Sequence, residues 1–159
     1  MNPSTSLRAW RIVKTSHAAE ASAGEGARRY GGRWNSSGTA VIYCSSSASL
    51  AILEVLVHLD NSLLLLPAYS LISVGFHRPL AEVIDVTSLP SGWWRSPPSP
   101  TVQRIGDAWV QASTSAVLSV PSAVVPAERN YLLNPAHPDF ERIEMGEPQP
   151  FRFDQRLLG

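Results

Sequence analysis

The apolar run LRAWRIV, residues 7–13, is rich in β-forming side chains and predicts a first strand. Residues 15–32, TSHAAEASAGEGARRYGG, combine small residues and glycine with little apolar periodicity. They predict a long loop of the kind that holds function in compact domains. AVIYCS (40–45) reads as a short apolar strand. SSSASLAILEVLVHLD (45–60) then predicts a helix, with serines as N-cap candidates and Leu50, Leu53 and Val57 at helical spacing. AYSLISVGF (68–76) and AEVIDV (81–86) suggest a hairpin around HRPL, and LPSGWWRSPPSP (89–100) a turn-rich loop. Within SPTVQRIGDAWVQAS (99–113), Ser99 is placed to cap a helix whose first position is Pro100. AVLSVPSAVVP (116–126) is a strand interrupted by Pro121, 127–140 is a partly turn-like connection, and 140–154 reads as a closing hairpin. No repeat or linker divides the chain. The pattern predicts one α+β domain over residues 1–159, with a strand-rich core and at least two helices.

Composition narrows the possible functions. With 159 residues, 44% of them apolar and 16% charged, the chain reads as globular and long enough to bury a core without disulfides or metal. A formal net charge of zero argues against a dominant basic surface for nucleic acid, while Arg28, Arg29 and Arg33 leave room for a local basic pocket. Cys44 is the single cysteine and lies in an apolar run, so it reads as a buried small hydrophobe. Without a C-x-x-C there is no Cys-rich zinc site. His17, His58, His77 and His137 are scattered without metal-ligand spacing, and no metal is predicted. The N-terminus lacks a signal-peptide apolar core and the aliphatic runs are too short for a membrane span, so a soluble cytoplasmic protein is expected.

A few side chains stand out as candidates for chemistry. Glu54 shares a helix face with Leu50, Val57 and His58. If that face points inward it is a carboxylate in an apolar setting, and if outward an exposed acid or a partner of His58. Arg33 follows two glycines, which suits either a clamp on phosphate or carboxylate or a structural salt bridge. No P-loop and no dinucleotide fingerprint surrounds it. Ser122 is a hydroxyl in an apolar strand. Bonding to nearby backbone is its ordinary reading and a ligand contact the alternative, with no G-x-S-x-G elbow to suggest a nucleophile. Tyr30 and Tyr43 flank the Arg33 turn, either as ring-stacking surfaces or as core plugs.

Taken in order, these residues sit in two long motifs. RYGGRWNSSGTAVIYCSSSASLAILEVLVHL, followed by VPSAVVPAERNYLLNPAHPDF, closely resembles the RES domain family, named for an arginine, a glutamate and a serine. The matching positions are Arg33, Glu54 and Ser122, and the resemblance runs from AWRIV through the closing segment. It implies an ADP-ribosyltransferase-like fold of twisted mixed and antiparallel strands with a few flanking helices. It also implies the toxin half of a bacterial toxin–antitoxin pair, acting on NAD as substrate and needing no other cofactor. The implied reaction is cleavage of the nicotinamide–ribose bond by hydrolysis or phosphorolysis. Transfer of ADP-ribose to a protein is the runner-up, and a catalytically inactive antitoxin-binding module the non-enzymatic alternative. The implied partner is an Xre-type antitoxin whose C-terminal region binds the toxin in an oligomeric complex, with no direct contact to nucleic acid or membrane.

That resemblance gives the candidates roles. Arg33 would clamp the NAD pyrophosphate, and Tyr43 or Tyr30 would wall the nicotinamide. Glu54 would stabilise positive charge developing on the ribose. Ser122 would bind a phosphate or ribose oxygen. Arg11, on a strand where the family tends to carry an arginine, would reach the pocket. Asn35, and with it Asn130 and Asn134, fits the pattern as well, with turn capping the alternative.

Overall fold

The computed structural model describes residues 5–58 and 67–158. The far end of the predicted helix, at 59–60, lies outside the described residues. Eight strands form one sheet: β1 (Ser6–Lys14), β2 (Ile42–Ser45), β3 (Tyr69–His77), β4 (Ala81–Val83), β5 (Val117–Pro121), β6 (Arg129–Leu133), β7 (Glu144–Met145) and β8 (Gln149–Phe151). Their order is β4-β5-β6-β2-β1-β3-β7, with β8 also on β3. Among the described residues only the β4–β5 pairing is parallel.

Chain length shows that this sheet is curled. From His77, where β3 ends, to Ala81, where β4 begins, is a step of four residues, which reaches at most ~14 Å. In a flat sheet the five strand spacings from β3 to β4 would span roughly 24 Å. The two ends must therefore bend toward each other. For the same reason AYSLISVGF and AEVIDV do not form the expected hairpin: β3 joins β1, β7 and β8, and β4 runs parallel to β5. HRPL instead contains a 3-10 turn, Arg78–Leu80, that anchors the crossing by burying Leu80.

Both faces of the sheet are covered. Ala9, Ile42, Cys44, Val74, Phe76, Val117, Tyr131 and Leu133 build one core. Leu118, Val120, Leu132 and half-buried Tyr43 face a second core with Trp34, Trp93, Val102 and Trp109. The alternation of Val117 with Leu118 and of Leu132 with Leu133 is the two-residue period of a strand with both sides apolar.

Among the described residues three α-helices flank the sheet: α1 (Glu25–Tyr30), α2 (Ala48–Leu56) and α3 (Pro100–Ala112). Ser47 caps α2 by accepting from the Leu50 amide at 3.0 Å, and Ser99 caps α3 by accepting from the Val102 amide at 3.3 Å. Val102, Gly106 and Trp109 form the inner face of α3. A Cβ on Gly106 would overlap the carbonyl oxygen of Trp34, so glycine is what lets α3 lie on the GGRWN turn.

Other sequence expectations change for similar reasons. The segment 15–32 holds a 3-10 turn, Thr15–Glu20, and α1 rather than one long loop. Helix α1 buries none of its residues, so no apolar period announces it. It lies between the left-handed glycines Gly24 and Gly31 and carries a bidentate Arg28–Glu25 pair at 2.8 and 2.9 Å. The supposed connection at 127–140 contains β6, which lies between β5 and β2. β7 and β8 do not form a hairpin with each other. They dock in succession along β3, at Val74–Gly75 and at Tyr69–Leu71. Among the described residues no helix is long and apolar enough to cross a membrane.

The close approach at Gly106 sets an expectation. Gly106→Ala adds helix propensity of about 1 kcal/mol. It also forces a methyl group into a backbone carbonyl, which overpacking costs place at about 3 kcal/mol or more. The urea midpoint of Gly106→Ala, followed by tryptophan fluorescence, should fall; a rise would show that α3 does not rest on the Trp34 carbonyl.

Candidate active site

The GGRWN turn is built on Asn35. This side chain is fully buried, and its amide nitrogen donates to the carbonyls of Ala27 (2.8 Å), Thr39 (3.0 Å) and Ser36 (3.2 Å). Its oxygen accepts from the Tyr43 hydroxyl, which in turn accepts from the Trp34 amide at 3.1 Å. Gly32 leaves room for that hydroxyl, since a Cβ there would come within 2.6 Å of it. Helix α3 holds the turn from outside. Gln103 donates to the Gly32 carbonyl at 3.0 Å, and Asp107 accepts from the Ser36 amide at 2.9 Å and from its hydroxyl. Residues 103, 106 and 107 thus meet the turn at the three- and four-residue spacing of one helix face.

Arg33 projects from this turn. Its Nη1 donates to the carbonyls of Trp93 (2.9 Å) and Arg95 (2.8 Å). Those acceptors are fixed because Trp93 is buried beside Trp34, ring centroids 6.1 Å apart. Burial works against the Arg33 charge, and the nearby Glu54 carboxylate works for it. No carboxylate among the described residues is close enough to form an ion pair with Arg33.

Glu54 lies one helical turn beyond buried Leu50 on α2 and is half-buried. Its Oε1 accepts from Ser122 Oγ and from Asn130 Nδ2, each at 2.8 Å. Ser122 Oγ also accepts from the amides of Val124 (3.1 Å) and Val125 (3.0 Å). Such local bonding to backbone is the ordinary behaviour of serine just past a strand, and here it aims the hydroxyl hydrogen at Glu54.

Arg33, Glu54, Tyr43, Arg11 and Asn130 line one cavity of about 1060 Å³. Arg11 follows Trp10, which pairs with Ser45 of β2, and lines the cavity. Its Nη1 donates to the Tyr43 carbonyl at 2.9 Å, and its buried Nε has no hydrogen-bond partner. Burial lowers its pKa, with Cys44 the opposing influence. Burial also raises the Tyr43 phenol and pushes the Cys44 thiol up to about 12. Both therefore stay protonated at neutral pH. Tyr30, at the end of α1, and Trp94 are exposed at the cavity rim.

The sequence of this chain matches the model of the RES domain over residues 8–154. The protein belongs to the RES domain family. Its similarity to curated relatives runs nearly end to end. It is 38% identical over 150 residues to "Toxin Res" of Photorhabdus laumondii, covering 94% of this chain and 96% of the relative. It is 38% identical over 154 residues to the "Prs ADP-ribosylating toxin" of Sphingobium sp., covering 94% and 95%. The fold of this RES chain is also that of the toxin in the M. tuberculosis MbcT–MbcA toxin–antitoxin complex, with a TM-score of 0.76 at 20% identity over 96% of this chain and 87% of that one.

The three residues that give RES its name occupy two layers here. Arg33 and Glu54 line the cavity, whereas Ser122 is fully buried behind Glu54. Ser122 donates its hydroxyl hydrogen to the acid from behind the cavity wall. Asn35 is likewise spent inside the turn and supports the wall without forming it. Tyr43 serves as wall and support together. Asn134 caps a turn, accepting from the Ala136 amide at 3.0 Å. Sequence reasoning did not reach the α3 clamp or the bond from Asn130 to the acid. The two-residue period that puts Asn130 and Leu132 on the Tyr43–Ser45 face was the available signal.

Two outcomes follow from this geometry. Ser122→Ala removes a donor to Glu54 and leaves two amides without their acceptor, so a stability loss of about 1–3 kcal/mol is expected in urea denaturation. Cys44, with its thiol near 12, is expected to resist iodoacetamide at pH 8 in the folded protein, where on the order of one thiol in ten thousand is ionised. Mass spectrometry should show rapid alkylation only after denaturation.

Proposed function

We propose that this protein is the toxin of a toxin–antitoxin pair and that it breaks the nicotinamide–ribose bond of NAD. The observation carrying this reading is the pairing of two kinds of group in one cavity. One is a carboxylate held by two hydrogen bonds through a single oxygen, and the other is a pair of guanidinium groups, Arg11 and Arg33, without carboxylate partners among the described residues. A dinucleotide with a diphosphate at its centre and a cationic leaving group at one end matches both.

In the proposed reaction the bond from ribose C1 to the nicotinamide nitrogen breaks, and its electron pair leaves with the ring as neutral nicotinamide. The ribose carbon becomes an oxocarbenium-like centre, whose charge Glu54 stabilises more strongly as it develops. An oxygen nucleophile then closes the C1 valence. Water gives ADP-ribose and a proton, phosphate gives ADP-ribose phosphate, and a protein side chain gives ADP-ribosylated protein. Arg33 and Arg11 hold the diphosphate by charge-assisted hydrogen bonds, and Tyr43 offers its ring to the nicotinamide. Asp or Glu at the substrate's charge is worth about 3 kcal/mol of barrier, by analogy with single oxyanion-hole donors. The transfer reading draws support from the Sphingobium relative, which is named an ADP-ribosylating toxin. The antitoxin reading rests on the fold neighbour, solved as a toxin–antitoxin complex. Tyr30 and Trp94 at the rim give a docked antitoxin segment apolar surface to cover.

The test is incubation of purified, antitoxin-free protein with NAD labelled in its adenosine half, with and without inorganic phosphate, followed by product identification. Glu54→Gln is expected to slow NAD loss about 100-fold or more, and Arg33→Ala to raise KM. Label in ADP-ribose or its phosphate identifies cleavage, and label on protein identifies transfer. A folded parent that neither consumes NAD nor labels protein would remove the catalytic reading.

A further inference from the structure

Two donors hold Glu54, and they differ in position. Ser122 is sealed from solvent, whereas Asn130 is half-buried and lines the cavity beside the acid. Both give their hydrogens to the same oxygen, Oε1. A carboxylate oxygen has two lone-pair sites, so Oε1 is saturated by protein. Oε2 receives no hydrogen bond from a described residue.

Asn130 is itself held. Its Oδ1 accepts from Ser45 Oγ at 2.8 Å, and Ser45 and Asn130 are cross-strand partners in the β2–β6 register. An asparagine amide keeps its shape when it flips but reverses its polarity. A flip here would set Oδ1 against Glu54 Oε1, acceptor facing acceptor, and would give up the Ser45 hydrogen. The sheet register therefore fixes the amide, and the amide fixes the plane of the carboxylate.

We infer that Asn130 is a positioning residue that determines which oxygen of Glu54 meets the substrate, with Ser45 setting its amide; the inference rests on the NAD reading above. Ser122 and Asn130 take Oε1, and Oε2 is the oxygen offered to the ribose. Ser45, on β2, thus acts on the chemistry from two hydrogen bonds away.

The experiment compares the full-length parent with Asn130→Ala, Asn130→Asp and Ser45→Ala. Asn130→Ala is expected to lower kcat about tenfold or more, the scale seen for supporting shells that orient a reactive group, with KM within about twofold. Asn130→Asp keeps the size but turns a donor into a charged acceptor facing Glu54, and is expected to fall further. Ser45→Ala should fall in the same direction by less. A rise in KM at unchanged kcat, or unchanged kcat per folded molecule with only a lower Tm, would overturn the inference. A double-mutant cycle between Glu54→Ala and Asn130→Ala in urea denaturation reads the contact without substrate. Non-additive losses are expected, and additive ones would overturn it. A folded parent that consumes no NAD sinks the functional reading alone, and the cycle still decides whether Asn130 holds Glu54.

Discussion

A carboxylate taken half out of water needs donors, and Glu54 obtains them from segments far along the chain. Ser122 and Asn130 are 68 and 76 residues away in sequence, yet both sit 2.8 Å from one oxygen. Without them the acid would carry an uncompensated desolvation cost. Meeting that need forces α2 against the place where β5 ends and β6 begins. Ser122 is available there because β5 stops at Pro121 and the chain turns, so its hydroxyl serves the turn and the acid together. Asn130 is available because β6 lies between β5 and β2 and pairs it with Ser45.

The cationic half of the cavity follows a different rule. Arg33 and Arg11 are held by carbonyl oxygens: those of Trp93 and Arg95 for the first, and that of Tyr43 for the second. Neutral acceptors fix the direction of a guanidinium and leave its charge uncompensated, whereas a carboxylate partner would cancel it. The chain as a whole has no formal net charge, but the ion pairs among its described residues lie at exposed surface positions such as Arg28–Glu25 and Arg156–Asp154. Positive charge is thus placed at Arg11 on β1 and at Arg33 on the GGRWN turn that α3 holds. RES membership and the shared fold place this arrangement in a family context. The hydrogen bonds explain why an arginine beside two glycines and an acid on an apolar helix belong to one cavity.

Legibility in the sequence tracked how local each interaction is. The α3 cap was readable because Ser99, Pro100 and the Val102 amide are neighbours along the chain. Strand β1 was readable from its composition, and Arg33 and Glu54 from the motifs that contain them. Helix α1 was not, because glycines and a surface ion pair define it and it buries nothing. Strand β6 was obscured because its first two residues are polar: Arg129, which bonds Ser119 and Ile84, and Asn130. The β3–β4 hairpin failed because adjacency in sequence says nothing about the curl that brings opposite ends of a sheet together.

The sequence by itself determined the RES family, the α+β class, the start of α3 and the motifs that single out Arg33 and Glu54. Each of these depends on residue types at short spacing. Only the tertiary structure decided that Ser122 and Asn35 stand behind the cavity instead of in it, and that Gly106 is the seat of the Arg33 turn. It also decided that a single oxygen of Glu54 takes both donors. Those facts are distances between atoms that the chain separates by scores of residues, and burial and hydrogen-bond saturation at such contacts exist only once the sheet has closed around them.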